Sequence, residues 1–483
     1  MTIQCYLLKN KSSIFIIYNA YGVNLAYINL LQLPKTLSQH PEIILKKDND
    51  MSKPLVPNLD TALKGPLEEI ESLIINKETT IEQWFRQQFL KTPPPFYASV
   101  DLRNAGYKIA PVDTNLFPAG FNNLSNEMES LCVHAIETAT DRFNPEACFV
   151  LIIAEDHTRN QFYWHNILQL RHYFEKAGFE IKIGSISKEL TEPSLLELDS
   201  GEKILRHPLT RKNNKLYIED KNPCLVVLNN DMSSGLPEIL QNLDQAIAPP
   251  PELGWAKRLK SKHFAHYRDV ATELAETLDM DPWLLNPIFK QCGKIDFKSR
   301  EGEDCLAINV AETLLEIKAK YKKYGINEKP FVFVKADSGT YGMNIMVVRD
   351  PDEVRDLNRK QRNKMAKGKD GNMVSDVLVQ EGVYTSEKWG PDDSVAEPVV
   401  YMINHFVVGG FYRVHTNRGI DENLNAPGAQ FEPLPFAEDC TRTNPESEPD
   451  CPPNRFYTYG VVARLALLAA ARERAEVSNS NDS

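Results

Sequence analysis

A lysine followed by a glycine-rich turn is the first feature of this sequence whose residue types could do chemistry. The segment 331–348 reads Phe-Val-Phe-Val-Lys-Ala-Asp-Ser-Gly-Thr-Tyr-Gly-Met-Asn-Ile-Met-Val-Val. Two apolar runs flank the turn and predict a β-hairpin, whereas a P-loop would continue into a helix. Glycines let backbone N–H groups approach an anion, and Lys335 would add a positive charge. The hairpin therefore predicts a phosphate-binding element, with a plain hairpin and a solvated lysine as the alternative on spacing alone.

Polar groups downstream come in an order that favours a nucleotide site over the plain hairpin. A strand-like segment ends in groups suited to the edge of an adenine ring. The next two strands carry an acid and an arginine, and an asparagine-rich loop follows. In chain order these features are Gln380 with Glu381, then Glu397, then Arg413, then the loop 421–428.

Composition and charge exclude several classes of protein. The chain has 483 residues, of which 42% are hydrophobic and 25% charged, and this predicts a globular protein of two or three domains. A net charge of −11 argues against a nucleic-acid binder, because such a protein needs a basic face. The eight cysteines form no CxxC pair, which favours free thiols and a cytoplasmic location.

The first fifty residues read as an extension outside the folded domain. The stretch 12–33 carries no charge and superficially resembles a signal peptide or an anchor. Asparagines at 19, 24 and 29 interrupt it, each costly in hydrocarbon, and no small-residue cleavage site follows. We therefore expect no membrane association, and Met51 opens a segment that reads like a natural start.

The elements that must position the chemical groups fall into two regions. Strand–turn–helix units begin at Cys148 and Cys224 and predict an α/β layer with a parallel sheet, with polar turns at 155–160 and 229–235 where ligands usually sit. Helical spacing predicts helices over 67–74, from Thr79, over 255–278 and over 461–471. The stretch 101–123 reads as loop-rich.

Three consecutive prolines at 249–251 give the predicted domain boundary. The fold class is then α/β and α+β: a substrate-binding α/β layer over 51–250, followed by a strand-rich domain over 251–483 that ends in a docked helix.

Three motifs resemble an uncommon bacterial type of glutamate–cysteine ligase, which is built on a glutathione-synthetase-like ATP-grasp scaffold. They are Asp113-Thr-Asn-Leu-Phe-Pro-Ala-Gly-Phe-Asn-Asn, the hairpin 331–346 and the segment 407–428. The resemblance extends from residue 51 to about 477. It implies that ATP activates the γ-carboxylate of glutamate as an acyl phosphate, which cysteine then attacks to give γ-glutamylcysteine, ADP and phosphate. The choice of cysteine rests on the resemblance alone.

The resemblance also implies roles for residues. Lys335 and Arg413 are the candidate catalytic residues, Arg413 having a structural salt bridge as its alternative. The nucleotide would contact Lys335, Asp337, Ser338, Gly339, Thr340, Tyr341, Gly342, Gln380, Glu381 and Val383. The amino-acid substrates would contact Asp113, Asn115, Asn122, Asn123 and Arg159, residues that could equally form turns or caps.

Magnesium is expected as the partner of ATP, and its candidate ligands are Glu397, Glu422, Asn423 and Asn425. Related enzymes often carry a Glu-x-Asn motif late in the domain, and its absence after Phe431 leaves the ligand set open. A second phosphate-binding lysine is expected upstream, at Lys290, Lys294 or Lys298. The competing interpretations are an ATP-grasp ligase with another acceptor, such as a glutathione synthetase, and a non-catalytic ATP-binding module.

Overall fold

The computed structural model describes residues 5–8, 14–19, 22–26, 59–60, 66–156, 160–339, 344–366, 373–434 and 455–481. The chain divides into two compact units, Met1–Lys53 and Pro54–Ser483. In the first unit, β1 (Cys5–Leu8), β2 (Ile14–Asn19) and β3 (Gly22–Ala26) form an antiparallel sheet. The prediction that residues 1–50 lie outside the folded domain stays a prediction.

Five of the helices described in the second unit lie where the sequence predicted a helix, apart from their exact ends, and the other four were not predicted. They are α1 (Pro66–Asn76), α2 (Glu78–Lys91), α3 (Glu129–Phe143), α4 (Gln161–Lys176), α5 (Lys260–Leu278), α6 (Glu303–Tyr324), α7 (Asp352–Arg355), α8 (Arg359–Ala366) and α9 (Arg455–Asn481). The helix predicted from Thr79 begins one residue earlier, at Glu78, and its N-cap residue makes no side-chain capping bond.

A six-stranded sheet confirms the predicted α/β layer. Its neighbouring strands are parallel except for the last pair. In spatial order they are β14 (Ala246–Ala248), β13 (Leu225–Asn229), β7 (Phe149–Ala154), β8 (Glu180–Ser185), β10 (Lys203–Pro208) and β9 (Ser194–Glu197). Every residue of β7 and β13 is buried, as expected for apolar strands covered on both faces. A separate hairpin joins β11 (Thr210–Lys212) to β12 (Lys215–Tyr217).

One predicted helix of this layer is wrong. After the polar turn that follows β13, the chain forms only a single 3₁₀ turn, Glu238–Leu240. Pro237 precedes this turn, and a proline disfavours helical backbone in the residue before it.

The phosphate-binding hairpin belongs to a four-stranded antiparallel sheet. The strands, in spatial order, are β15 (Phe289–Cys292), β18 (Val377–Glu381), β16 (Val332–Ala336) and β17 (Ile345–Val348). Lys335 pairs with Ile345 across the hairpin, and β18 lies directly beside β16. The predicted hairpin and the strand predicted to meet the edge of adenine, β18, are therefore neighbours in one sheet.

A seven-stranded antiparallel sheet faces the first one. It contains β4 (Leu59–Asp60), β5 (Tyr97–Asn104), β6 (Ile109–Asn115), β19 (Lys388–Trp389), β20 (Ser394–Ile403), β21 (Phe406–His415) and β22 (Gln430–Pro433). The stretch read as loop-rich is in fact the hairpin β5–β6, which pairs with β20. Since β5 and β6 precede residue 250, the predicted boundary does not separate one sheet from another.

The C-terminal helix α9 lies against this sheet, and the whole stretch from Val461 to Ala471 is buried. A helix that is apolar on all sides belongs in a core, so the predicted docked helix is confirmed. None of the helices described is long and apolar enough to cross a membrane. The fold class is confirmed as well, with an α/β layer and an α+β region of two antiparallel sheets.

Candidate functional site

A cleft opens between the two antiparallel sheets. β16 and β17 form one wall, and β5, β6 and β20 form the other. Three cations and three anions converge on it, and they are Arg103, Lys260, Lys335, Asp101, Asp113 and Glu397. A half-enclosed space with charges of both signs suits a polyanion that arrives with its own metal cations.

Lys335 stands at the end of β16 with its ammonium group buried below the cleft surface. Its Nζ donates to the backbone oxygen of Val112 at 2.9 Å and to Oε1 of Gln380 at 2.6 Å. Burial lowers the pKa of Lys335 to about 8, although the nearby Asp113 carboxylate acts to raise it. The lysine is thus a poorly solvated cation whose charge an incoming phosphate would stabilise.

Arg413 holds the opposite wall together through a buried chain of ion pairs. Its Nη1 donates to Asp101 at 2.8 Å and to Glu397 at 2.6 Å, and Arg103 Nε donates to the other oxygen of Glu397 at 2.9 Å. The predicted alternative for Arg413, a structural salt bridge, is therefore present in the structure. The Nε of Arg413 and the Nε2 of Gln380 are both buried, and neither has a hydrogen-bond partner among the residues that the structure describes.

Burial and the two arginines set the pKa values of the carboxyl groups in this network of ion pairs. Burial raises the pKa of Asp101, although Arg413 acts in the opposite direction. Burial also acts to raise the pKa of Glu397, but Arg103 and Arg413 outweigh it and hold that pKa below its usual range. Glu397 therefore stays ionised beside the cleft and is a suitable oxygen ligand for a hard cation.

Asp113 and Lys260 form a further ion pair at the cleft. Lys260 Nζ donates to the two carboxylate oxygens of Asp113 at 3.1 and 3.3 Å. Burial acts to raise the pKa of Asp113, but Lys260 and Lys335 outweigh it and lower that pKa. The predicted substrate residue Asp113 is thus brought to the cleft together with a lysine that was not predicted.

The glycine loop is divided between the cleft and the protein interior. Ser338 and Gly339 line the cleft, and the backbone φ of Gly339 is +101°, a conformation that side chains other than glycine's rarely adopt. Asp337 is buried, and its carboxylate accepts bonds from the first turn of α5. Thr340, Tyr341 and Gly342 lie outside the described residues.

Three residues predicted to contact the nucleotide, Gln380, Glu381 and Val383, lie beneath the cleft surface. Gln380 reaches Lys335, while the Glu381 carboxylate accepts from Lys108 Nζ at 3.0 Å and from the backbone N of Ile288 at 2.8 Å. The backbone oxygen of Val383 accepts from Arg103 Nη1 at 3.0 Å. None of these three residues lines the cleft, and their contact with adenine stays a prediction.

Three further substrate candidates, Asn115, Asn122 and Asn123, do not line the cleft. Asn115 accepts from the backbone N of Phe117, forming a turn, and Asn122 donates to Asn123 at 3.2 Å. The Asn115 bond is of the turn-like kind that the sequence left open as an alternative. Arg159 lies outside the described residues.

The candidate metal ligands are partly assembled. Glu397, Asn423 and Asn425 line the cleft, whereas the Glu422 carboxylate accepts from Arg418 and from the backbone N of Gly419. Over the part of the chain described, no three His, Cys, Asp or Glu side chains cluster closely enough to hold a metal alone. Mg²⁺ in nucleotide sites is bound by one or two carboxylates together with phosphates, so Asp101 and Glu397 beside asparagine oxygens fit such an ion.

None of the three upstream lysines lines the cleft. Lys290 pairs with Glu312 at 2.7 Å and with Glu316 at 3.0 Å, and Lys294 and Lys298 are exposed. The sequence missed Asp101 and Arg103 because 101–123 was read as a loop. Charged residues two positions apart are the alternation that places side chains on one face of a strand, and this signal could have found them.

Comparison with known proteins identifies relatives. The model of the glutamate–cysteine ligase family matches residues 71–474. A crystal structure of a candidate gamma-glutamylcysteine synthetase from Methylobacillus flagellatus KT is 55% identical, covers 87% of this chain and 99% of its own, and has a TM-score of 0.81.

Two more solved structures are similar at a lower level. A glutathione synthetase-like effector from Globodera pallida is 9% identical, with a TM-score of 0.36, over 74% of this chain and 83% of its own. The D-alanyl-alanine synthetase A of Vibrio cholerae is 12% identical, with a TM-score of 0.32, over 66% of this chain and 81% of its own. Comparison with the curated proteins gives no match.

Proposed function

The chain belongs to the glutamate–cysteine ligase family, and on that premise we propose how its cleft forms γ-glutamylcysteine from glutamate, cysteine and ATP. The observation that carries the proposal is the buried, poorly solvated Lys335 facing the Arg413 chain across one cleft. Cations held in place before the substrate arrives stabilise a transferring phosphoryl group without reorganising during the reaction.

The reaction needs positive charge and fixed geometry more than covalent help from the protein. In the first step, an oxygen of the glutamate γ-carboxylate attacks the γ-phosphorus of ATP and ADP leaves. In the second step, the amine of cysteine attacks the resulting acyl phosphate at its carbonyl carbon and phosphate leaves. We assign Lys335 to the phosphates and Arg413 to the charge that develops on the acyl phosphate.

We assign Mg²⁺ to Asp101 and Glu397, with the amide oxygens of Asn423 and Asn425 nearby. When bound, the ion would neutralise part of the charge of the phosphates. Because Arg413 contacts both carboxylates, it would keep them aligned toward one point of the cleft. Glu422 is the weakest of the predicted ligands, since Arg418 and Gly419 already occupy its carboxylate.

The remaining proposals concern the amino-acid site, the roles of the two regions of the chain, and the location of the protein in the cell. Asp113 would receive a substrate ammonium group at the cleft, and Asn115, Asn122, Asn123 and Arg159 would complete the amino-acid site. Residues 51–250 would supply most of that site and 251–483 the nucleotide site. The net charge of −11 supports a protein without a nucleic-acid partner, and we infer that it works in the cytoplasm.

The test is an assay of ADP release with ATP, Mg²⁺, glutamate and a panel of amino acids. We expect release that depends on both glutamate and cysteine, and its loss in Lys335→Ala. Release with γ-glutamylcysteine and glycine instead would support a glutathione synthetase. ATP binding without turnover, abolished by Lys335→Ala, would support a non-catalytic module.

A further inference from the structure

We propose that Cys292 and Cys305 form a reversible thiol–disulfide site that the disulfide of a small γ-glutamyl thiol oxidises; this inference rests on the function proposed above, whose product is such a thiol. Cys292 is the last residue of β15, and Cys305 lies in the first turn of α6. Their Sγ atoms are 3.3 Å apart, and both thiols are free. The two sulfurs must approach each other by about 1.3 Å to form a disulfide bond.

A metal site is the competing interpretation of two adjacent thiols. A structural zinc ion takes four ligands from cysteine, histidine and carboxylate side chains. Within the described ranges, no three such side chains lie close enough together to hold an ion, and the sulfur of Cys305 accepts instead from Asn309 Nδ2 at 3.8 Å. Disulfides of cytoplasmic proteins are usually transient and serve catalysis or redox sensing. A redox-active pair is therefore the interpretation that fits these two thiols.

The unequal exposure of the two thiols sets the order in which they react. Cys305 is exposed, whereas Cys292 is buried, and burial raises the pKa of the Cys292 thiol to about 11. The thiolate is the nucleophile of disulfide exchange, and it must reach the sulfur that it attacks. A dissolved disulfide therefore reacts first with Cys305, and Cys292 is the thiol that closes the bond.

The exchange balances in two steps, with the small disulfide as the oxidant. In the first step, the Cys305 thiolate attacks one sulfur of the small disulfide, so that a mixed disulfide forms and one small thiolate leaves. In the second step, Cys292 loses its proton to solvent and attacks Cys305 Sγ, and the second small thiolate leaves. The two protein thiols are thus oxidised by two electrons, and the small disulfide is reduced to two thiols. An excess of thiol reverses both steps.

Strand β15 connects this pair of thiols to the cleft. Side chains alternate between the two faces of a strand. Lys290 and Cys292 contact α6, whereas the Nε2 of Gln291 donates to Asp337 at 3.1 Å on the opposite face. Asp337 directly precedes residues 338–339, which line the cleft. A bond that draws the end of β15 toward α6 would therefore displace Gln291 from Asp337, and with it the loop that is predicted to bind phosphates.

The first experiment maps the bond in the full chain after incubation with the disulfide of γ-glutamylcysteine. Remaining thiols are blocked by alkylation, the protein is digested with trypsin, and the peptides are identified by mass spectrometry. Trypsin cleaves after lysine and arginine, so the two cysteines separate onto the peptides 291–294 and 301–318. We expect a disulfide bond to join these two peptides in the wild type.

Three variants separate the two steps of the exchange. In Cys292→Ser, Cys305 should keep the small thiol as a mixed disulfide, because no second thiol displaces it. In Cys305→Ser, Cys292 should stay unmodified, since it is buried. Cys148→Ser is the matched control, because it removes an exposed cysteine elsewhere, and it should leave the joined peptides unchanged. A wild type in which Cys305 carries only the small thiol, or is not modified at all, would overturn the proposal.

The effect on the cleft is measured by calorimetry with the magnesium complex of the non-hydrolysable analogue AMP-PNP. A turnover assay is unsuitable, because the substrate cysteine would reduce the disulfide bond. Since a displacement of about 1 Å in a site can cost about 100-fold, we expect the oxidised wild type to bind the analogue about 10-fold more weakly than the reduced protein. Dithiothreitol should restore the affinity, and Cys305→Ser should keep it after the same treatment. An unchanged affinity in the oxidised wild type would overturn the connection to the cleft.

Neither experiment depends on turnover, so the two proposals can fail separately. Failure of the reduced protein to release ADP with glutamate and cysteine would count against the proposed function, whereas absence of the joined peptides would count against the thiol pair. Thermal unfolding of each serine variant checks that it is folded before its thiols are mapped.

Discussion

At the scale of one residue, burial of Lys335 at an anion site lowers the stability of the protein when no anion is bound. Its ammonium group is buried against Val112 and Gln380, and the cleft supplies only partial compensation for its charge. A group selected for catalysis can lower the stability of the protein that carries it, a compromise found in many active sites.

We expect Lys335→Met to abolish activity and to stabilise the ligand-free protein at pH 7. Burial lowers the pKa of Lys335 from 10.5 to about 8. Folding therefore opposes its charge by roughly 3 kcal/mol, from which the lost hydrogen bonds subtract about 1–2 kcal/mol. Below pH 8 the lysine is charged in both states and the full cost applies. Between pH 8 and 10.5 the folded protein binds fewer protons than the unfolded chain, so the cost diminishes as the pH rises.

Urea unfolding of both proteins at pH 7 and at pH 10 measures this difference. The stability advantage of the variant should shrink at the higher pH. A variant less stable than the wild type at pH 7 would contradict the electrostatic argument. Lys262→Met is the control, because an exposed lysine carries no such cost.

The sequence predicted part of the site at this scale. Lys335 and Arg413 were found because each lies on a regular strand within a motif of the family, and Glu397 because it lies on a regular strand before the last of these motifs. Lys260 was not found, since a lysine at a helix start has no distinctive pattern. The direction of the Asp337 side chain depends on its contact with Ser261 of α5, which lies 76 positions earlier in the sequence, and no local pattern contains that contact.

At the scale of single elements, the helices α5 and α9 stabilise one wall of the cleft through contacts behind it. α9 and α5 contact each other through a buried network in which Glu473 accepts from Arg258 Nε at 2.9 Å and contacts His263 Nδ1 at 3.3 Å. Arg258 and His263 in turn contact Thr114, the residue next to Asp113. The C-terminal helix thereby fixes the strand that carries one charged wall of the cleft.

Replacing Glu473 by Gln should destabilise the protein by about 3–5 kcal/mol, because Arg258 would remain buried without its countercharge. Burial acts to raise the pKa of Glu473, but Arg258 and His263 outweigh it and lower the pKa to about 2. The stabilisation is thus complete above the ordinary pKa of 4.5 and is lost as the pH falls toward 2.

Urea unfolding at pH 7 tests this prediction, with Arg472→Gln as the matched control. Arg472 pairs with Glu273 across the same two helices, but at the surface, where a salt bridge contributes less than about 1 kcal/mol. Equal losses in the two variants would mean that the buried network contributes nothing special.

Helices and strands with a clear hydrophobic pattern were predictable from the sequence, whereas a buried hairpin that carries charged residues was not. The apolar strands β7 and β13 and the helices α4 and α9 follow from their composition. The hairpin β5–β6 was missed because Asp101, Arg103 and Asp113 make a buried strand look polar. Those charges are tolerated there only because Arg413, Glu397 and Lys260 come from other elements to pair with them.

On the scale of the whole molecule, residues 1–50 are proposed to be dispensable. The second compact unit begins at Pro54, and the family match begins at residue 71. A chain starting at Met51 should therefore keep its kcat and its melting temperature, as measured by ADP release and thermal unfolding.

A chain starting at residue 77 is the contrasting variant. It removes β4, which pairs with β19, together with Ile70 and Ile74, which are buried in the main core. We expect it to be unstable, since burying an isoleucine contributes about 1.5–3 kcal/mol. Loss of activity in the Met51 variant would show that the first fifty residues take part in the fold or in catalysis.

The pairing of β5 with β20 has a consequence for how the protein is made. Arg103 and Glu397, which form an ion pair on one wall of the cleft, are 294 positions apart in the sequence. During synthesis, an emerging chain carries the first half of the cleft for as long as the ribosome needs to add those residues. Closing so long a loop costs entropy before any contact offsets it, and sheets built from distant strands form slowly. A polypeptide released before β20 and β21 would therefore have no partial activity, and its unpaired β5 edge would be a site for aggregation or chaperone binding.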